Sequence, residues 1–177
     1  MISIVRKYVS GKITRYLPEF VYGSIDGTVT TFAIISGIAG AHLDTAIVVI
    51  LGFSNVLADG FSMASSNYLS EQSHQAQNPD QTHQLPFKTA LATFISFITI
   101  GSIPVISYIV AEKIPLFSNN AFLFAMICTG ITFIGIGSVR GKISGAHPLR
   151  TSLETLAVGA VAAAVAYGVG AFLGNIL

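Results

Sequence analysis

Two carboxylates, a methionine and three further oxygen-bearing side chains stand in stretches of sequence otherwise suited to oil. Asp26 lies in an apolar run from Phe20 to Ala41, and Asp59 in a second run from Thr45 to Ser70. Glu19, Tyr22, Asp26 and Thr30 are three or four residues apart; Asn55, Asp59, Met63 and Asn67 follow at intervals of four, with Ser62, Ser66 and Ser70 beside them. Four residues of helix advance about 400°, so each row drifts by only about 40° per step and winds slowly as a polar stripe. An ionised carboxylate at the bilayer centre costs about 2.5–3.5 kcal/mol or more, so protein or water must lie opposite the stripe.

The chemistry open to such a set is cation binding. Carboxylate and amide oxygens suit hard divalent ions, whereas a thioether prefers softer transition ions. Asp26, Asp59, Asn55, Asn67 and Glu19 together with Met63 therefore fit Fe²⁺ or Mn²⁺ in passage better than Mg²⁺ or Ca²⁺. A passage must also hold its ion weakly enough to release it. A buried acid that exchanges a proton for a metal supplies a basis for antiport. The ion is then cargo, so no resident cofactor and no catalytic residue are expected. Blander accounts exist. Asp59 can be a neutral acid hydrogen-bonded across a bundle, Met63 a gap-filler and Asn67 an interfacial cap. Glu154 and Lys88, at span ends, are explained by snorkelling or capping.

These residues need elements that cross a membrane. The chain has 177 residues, of which 52% are hydrophobic, 10% are charged and 17 are glycine, with mean hydropathy +0.71. Typical soluble proteins carry about 25% charged residues. Nine cations, eight anions and a net charge of +1 cannot build a basic face for nucleic acid. The lipid bilayer is the expected partner. About 20 mainly apolar residues cross about 30 Å of hydrocarbon, and backbone in lipid must satisfy its own hydrogen bonds. The expected fold is all-α: a single polytopic membrane domain over residues 1–177, with five transmembrane helices at about 20–41, 45–70, 87–111, 118–139 and 154–176. Residues 1–19 read as an amphipathic cytoplasmic segment, with Pro18 turning the chain inward. Residues 71–86 read as the one sizeable polar loop.

Positive charge sets the orientation. Arg6, Lys7, Lys12, Arg15, Lys88, Arg140, Lys142 and Arg150 share one side and Lys113 lies alone on the other, which places the N-terminus in the cytoplasm and the C-terminus outside. Glycine and serine recur at close-packing spacing in Gly23 and Gly27, Ser36 and Gly40, Gly137 and Gly141, and Gly170 and Gly174, where helices can dock. His74 and His83, with Glu71 and Asp80, could collect metal in the cytoplasm, but their spacing matches no compact ligand set and a solvated loop is favoured. His42 with Asp44 could receive a departing ion in an external turn; it and His147 read more simply as surface histidines. Cys128 reads as core.

Two long segments resemble the vacuolar iron transporter family: Tyr-Gly-Ser-Ile-Asp-Gly-Thr-Val-Thr-Thr-Phe-Ala-Ile-Ile-Ser-Gly-Ile-Ala-Gly-Ala, residues 22–41, and Gly-Phe-Ser-Asn-Val-Leu-Ala-Asp-Gly-Phe-Ser-Met-Ala-Ser-Ser-Asn-Tyr-Leu-Ser, residues 52–70. A weaker likeness continues in Leu-Glu-Thr-Leu-Ala-Val-Gly and Ala-Tyr-Gly-Val-Gly. The resemblance implies a five-helix protomer acting as a homodimer, with the pathway along the subunit interface. It also implies export of Fe²⁺, and often Mn²⁺, from the cytoplasm in exchange for protons. By position, Asp26 and Met63 are the pathway ligands it implies, whereas Asp59 matches a position acidic in many bacterial-looking members and small in others. Two departures stand out. Asn67 replaces an acid present in many members, which weakens metal capture at the cytoplasmic mouth. The long acidic insertion of eukaryotic members is reduced to residues 71–86, pointing to a bacterial inner membrane, with a vacuolar or other organelle membrane as the alternative.

Two other classes compete with a transporter. In one, a structural membrane protein uses its stripe only for subunit packing. In the other, Asp26 and Asp59 form an intramembrane aspartyl protease dyad, a class expected to show Gly-x-Gly-Asp, which neither position has.

Overall fold

The computed structural model describes residues 16–79 and 84–176. The described chain is helical with no strand: α1 (Leu17–Gly40), α2 (Thr45–Gln77), α3 (Pro86–Gly101), α4 (Ile103–Lys113), a 3₁₀ turn (Ser118–Asn120), α5 (Ala121–Ser144) and α6 (Pro148–Gly174). Four helical stretches among the described residues are long and apolar enough to cross a membrane: Thr45–Gln77, Pro86–Lys113, Ala121–Ser144 and Pro148–Gly174.

The helix that falls short, α1, occupies the middle of the bundle. It packs most extensively on α6 and α3 and also touches α5, α2 and α4. Its polar residues explain the placement. Ser24, Thr28, Thr31 and Ser36 are all at most 1% exposed. Three of these hydroxyls donate to backbone carbonyls one turn earlier, Ser24 to Phe20, Thr28 to Ser24 and Ser36 to Phe32, each at 2.7 Å. A hydroxyl satisfied by its own helix can be enclosed by protein at little penalty. A helix with four buried hydroxyl side chains therefore lies where its neighbours cover it. α6, by contrast, leaves Val161, Val165 and Phe172 exposed, an apolar face suited to acyl chains.

Glycines set the spacing between helices. A methyl at Gly27 would lie 2.9 Å from the Phe97 carbonyl oxygen, and one at Gly101 would lie 2.9 Å from Gly27 Cα, so α1 and α3 touch backbone to backbone. On the opposite side of α1, a methyl at Gly170 would press on the carbonyl oxygen of Gly37. Gly23, Gly27 and Gly170, spaced for docking in the sequence, meet backbone of another helix, and Gly174 meets Ala41 just past the end of α1. Phe97, Phe133, Ile35, Val48, Val56 and Val105 fill the space around these crossings.

Several boundaries differ from the sequence expectation. α2 continues to Gln77 rather than ending near residue 70, so residues 71–77 of the expected polar loop are helix. Its 33 residues make a rod about 50 Å long, well beyond about 30 Å of hydrocarbon, and its polar last turns reach past the oil. The third span is two helices. Pro104, near the start of α4, has no N–H to give, and the helix breaks at Ser102, whose hydroxyl turns back to the Ile98 carbonyl. α5 runs on to Ser144, where Gly145 at φ 66° closes it in the left-handed region and Ala146 N–H reaches the Gly141 carbonyl at 3.0 Å. α6 starts at Pro148, earlier than expected, because proline is at ease in a first helical turn. Of the expected amphipathic segment, residues 1–15 lie outside the described residues, and Leu17–Gly40 already forms α1.

Candidate functional site

α1 and α2 run antiparallel, joined by the short turn after Gly40, so positions pair in descending order along their seam. Asp26 and Asp59 are both half-buried there. One turn nearer the α1 N-terminus, Tyr22 faces Met63. These two, with Ser62, Ser66, Asn67 and Ser70, line a polar cavity of about 420 Å³. Tyr22, Ser62, Ser66 and Ser70 are exposed, while Met63 and Asn67 are half-buried.

The six residues singled out in the sequence do not stand alike. Met63 and Asn67 line the cavity, and Asp59 precedes Met63 by one turn of α2 while Asp26 follows the cavity-lining Tyr22 by one turn of α1. Asn67 also donates its side-chain N–H to the Thr93 hydroxyl of α3 at 2.7 Å. Asn55 lies one turn before Asp59 on α2, and Glu19 one turn before Tyr22 on α1. Asn55 Nδ2 and Glu19 Oε2 are buried atoms with no hydrogen-bond partner among the described residues, an arrangement that normally asks for a ligand or a water. Among the described residues, no three His, Cys, Asp or Glu side chains gather as a metal site. Any ion here must rely on amide and thioether donors besides the acids.

Other candidates are placed elsewhere. Glu154 accepts from Arg150 Nε at 3.0 Å and pairs with Arg140 at 3.5 Å, so it ties α5 to α6. His74 is exposed on the last turns of α2 and its carbonyl accepts from Asn78 N–H at 3.1 Å, while Asp80 and His83 lie outside the described residues. His42 is exposed at φ 54° in the α1–α2 turn, with Asp44 also exposed. His147 is exposed just before α6, and Cys128 is half-buried on α5. Thr93 escaped the sequence reading altogether. It lies on a helix with no charged neighbour nearby, and only the fold brings it to Asn67.

A family model described as the VIT family matches this chain over residues 17–85 and 74–171. The chain belongs to the VIT family. Relatives extend the match over most of its length. It is 25% identical to "Vacuolar iron transporter" of Toxoplasma gondii (strain ATCC 50861 / VEG), over 89% of this chain and 74% of that protein. It is 22% identical to "Vacuolar iron transporter 1" of Oryza sativa subsp. japonica, over 92% of this chain and 86% of that one. A shorter match of higher identity, 44% over 31% of this chain and 20% of the relative, is to "Vacuolar iron transporter" of Plasmodium berghei (strain Anka). This VIT-family member is a multi-pass membrane protein of a transporter family and is not an enzyme. No cofactor is indicated for the family.

Proposed function

We propose that the protein moves Fe²⁺, and also Mn²⁺, out of the cytoplasm in exchange for protons, through a pathway at the interface of a homodimer. The observation that carries this reading is the α1–α2 seam, where Met63 and Asn67 line a cavity of about 420 Å³ with Tyr22 and three serines, and Asp26 and Asp59, one turn away along their helices, are half-buried. Two adjacent carboxylates repel, and either a proton or a dication relieves that repulsion. Metal and proton then compete for the same oxygens, which is the chemical requirement for exchange. The thioether of Met63 adds a soft donor that favours transition ions over Mg²⁺. The names of the relatives, all vacuolar iron transporters, support iron as cargo.

Support for the homodimer comes from α2. Ser54, Ala58, Ser62, Ser66 and Ser70 recur every four residues and are all exposed. Small residues at this spacing let a second helix approach closely, and the hydroxyls gain partners that lipid cannot offer. A second copy on this stripe roofs the cavity and doubles its donors. The five-span topology counts α1 as a crossing shielded by its neighbours. Arg140 lines a recess with Pro18 and Tyr22, so the α5 cations share an end with the start of α1, whereas Lys113 ends α4. That distribution supports a cytoplasmic N-terminus. A reporter fused after Leu177 is expected outside the cytoplasm, and a cytoplasmic readout overturns the orientation. The membrane we favour is a bacterial inner membrane. The Toxoplasma gondii alignment runs over 224 positions against the 177 residues of this chain, so that relative carries residues this chain lacks.

The deciding experiment reconstitutes the protein in liposomes and follows Fe²⁺ and Mn²⁺ under an imposed pH gradient. Metal-driven proton movement supports the reading; an intact dimer with no flux assigns the stripe to packing alone. Met63→Leu is expected to keep the fold and to raise competition by Mg²⁺ roughly three- to tenfold, on the order of one lost ligand preference. Unchanged Mg²⁺ competition removes the thioether from the mechanism.

A further inference from the structure

We propose that Thr93 of α3 dictates which end of the Asn67 amide faces the cavity, and so makes position 67 an oxygen donor to a divalent cation. The inference rests on the transport reading for its consequence, but its geometry is independent of it.

An asparagine side chain offers two chemically opposite ends, an N–H₂ that repels cations and a carbonyl oxygen that attracts them. Its neighbours decide which end points where. Thr93 is 0% exposed, and its hydroxyl donates its single proton to the Thr89 carbonyl at 3.1 Å. With that proton committed, the hydroxyl can only accept. Asn67 Nδ2 fills this role at 2.7 Å. Turning the amide over would require Thr93 to withdraw its proton from the Thr89 carbonyl and spend it on the amide oxygen, giving up the bond to its own helix. The N–H₂ end is therefore held toward α3. Asn67 lines the cavity with Met63 and Ser66, and with its N–H₂ end taken by Thr93 the end left to serve the cavity is the carbonyl oxygen.

Thr93 itself has little room to move. Ser96 donates to its carbonyl at 2.9 Å, and α1 closes over it, where a methyl at Gly23 would lie only 2.6 Å from the same carbonyl oxygen. A residue with no contact to the cavity thus sets the polarity of the cavity wall. The result is a neutral oxygen of fixed direction beside a thioether, a pairing that binds a dication without holding it as firmly as a carboxylate.

The test uses the full-length protein and Mn²⁺ alone. Binding is read by electron paramagnetic resonance on purified protein, and uptake by flux into proteoliposomes. Thr93→Val keeps the shape and removes the acceptor. It is expected to raise the half-saturating Mn²⁺ concentration about three- to tenfold, the scale of one hydrogen bond's net contribution, with the maximal rate within about twofold. Thr93→Ser restores the acceptor and is expected to behave as wild type. In an Asn67→Ala background, Thr93→Val should add nothing. An equal Thr93→Val effect with and without Asn67, or wild-type half-saturation in Thr93→Val, overturns the proposal. Wild-type protein that binds Mn²⁺ but does not move it refutes the transport reading, while the binding comparison still decides the role of Thr93. Protein that neither binds nor moves Mn²⁺ overturns both.

Discussion

Asp26→Asn is expected to reduce metal flux by roughly two orders of magnitude or more while leaving the protein folded. The size follows from charge. A dication entering a partly desolvated seam loses hydration, and a full negative charge in contact offsets far more of that loss than an amide dipole does. The substitution keeps the shape of the side chain and removes one of the two half-buried carboxylates of α1 and α2. Folding should not suffer, because the change also removes a charge that is costly to bury. Thermal midpoint in detergent is expected to match or exceed that of the wild type. Flux into proteoliposomes and the melting curve together make the check. Wild-type flux in the variant refutes the assignment; loss of both flux and fold makes Asp26 structural.

Gly27→Val is expected to do the reverse, disrupting the fold before any question of transport arises. The neighbours of Gly27 are rigid. A Cβ there would lie 2.9 Å from the Phe97 carbonyl oxygen, 3.1 Å from the Phe97 ring and 3.2 Å from Gly101 Cα. Two of these are backbone, and Phe97 is 0% exposed, so nothing can swing aside. α1 and α3 must separate, and the seam that α1 shares with α2 moves with them. Overpacking of this kind costs about 3 kcal/mol or more, which for a chain of this length lowers the melting midpoint by roughly 6–12 °C. Gly135 makes the comparison. A Cβ there meets nothing within 4 Å, and Gly135→Ala is expected to be neutral or to gain up to about 1 kcal/mol from helix propensity. Size-exclusion chromatography with a temperature ramp reads both variants. A Gly27→Val protein that melts like the wild type rules out the backbone contact between α1 and α3.

Much of the candidate site was legible without coordinates. A carboxylate in an apolar run announces itself by its expense, and spacing by four residues put Asp59, Met63 and Asn67 on one face before any fold was known. The same arithmetic marked Gly23 and Gly27 as a docking surface. Ends of elements were less legible. Hydropathy measures how far a segment suits oil, whereas a helix ends where its hydrogen bonds stop, so α2 runs on through polar residues to Gln77. The break at Ser102 was equally hidden, because Pro104 interrupts hydrogen bonding without changing the apolar character of its surroundings. Glu154 looked like a helix-end residue and proved to be a tie between Arg140 and Arg150.

Class, helical content and the location of the polar stripes were settled by the sequence alone, because in a membrane each of these depends on local composition: a backbone in oil must bond to itself, and a charge there stands out. Tertiary structure alone decided which helix lies at the centre, which backbones touch, and which hydroxyl stands behind Asn67. Those depend on pairs such as Asn67 and Thr93, 26 residues apart, whose meeting is set by how six helices fill space together and by no pattern within either segment.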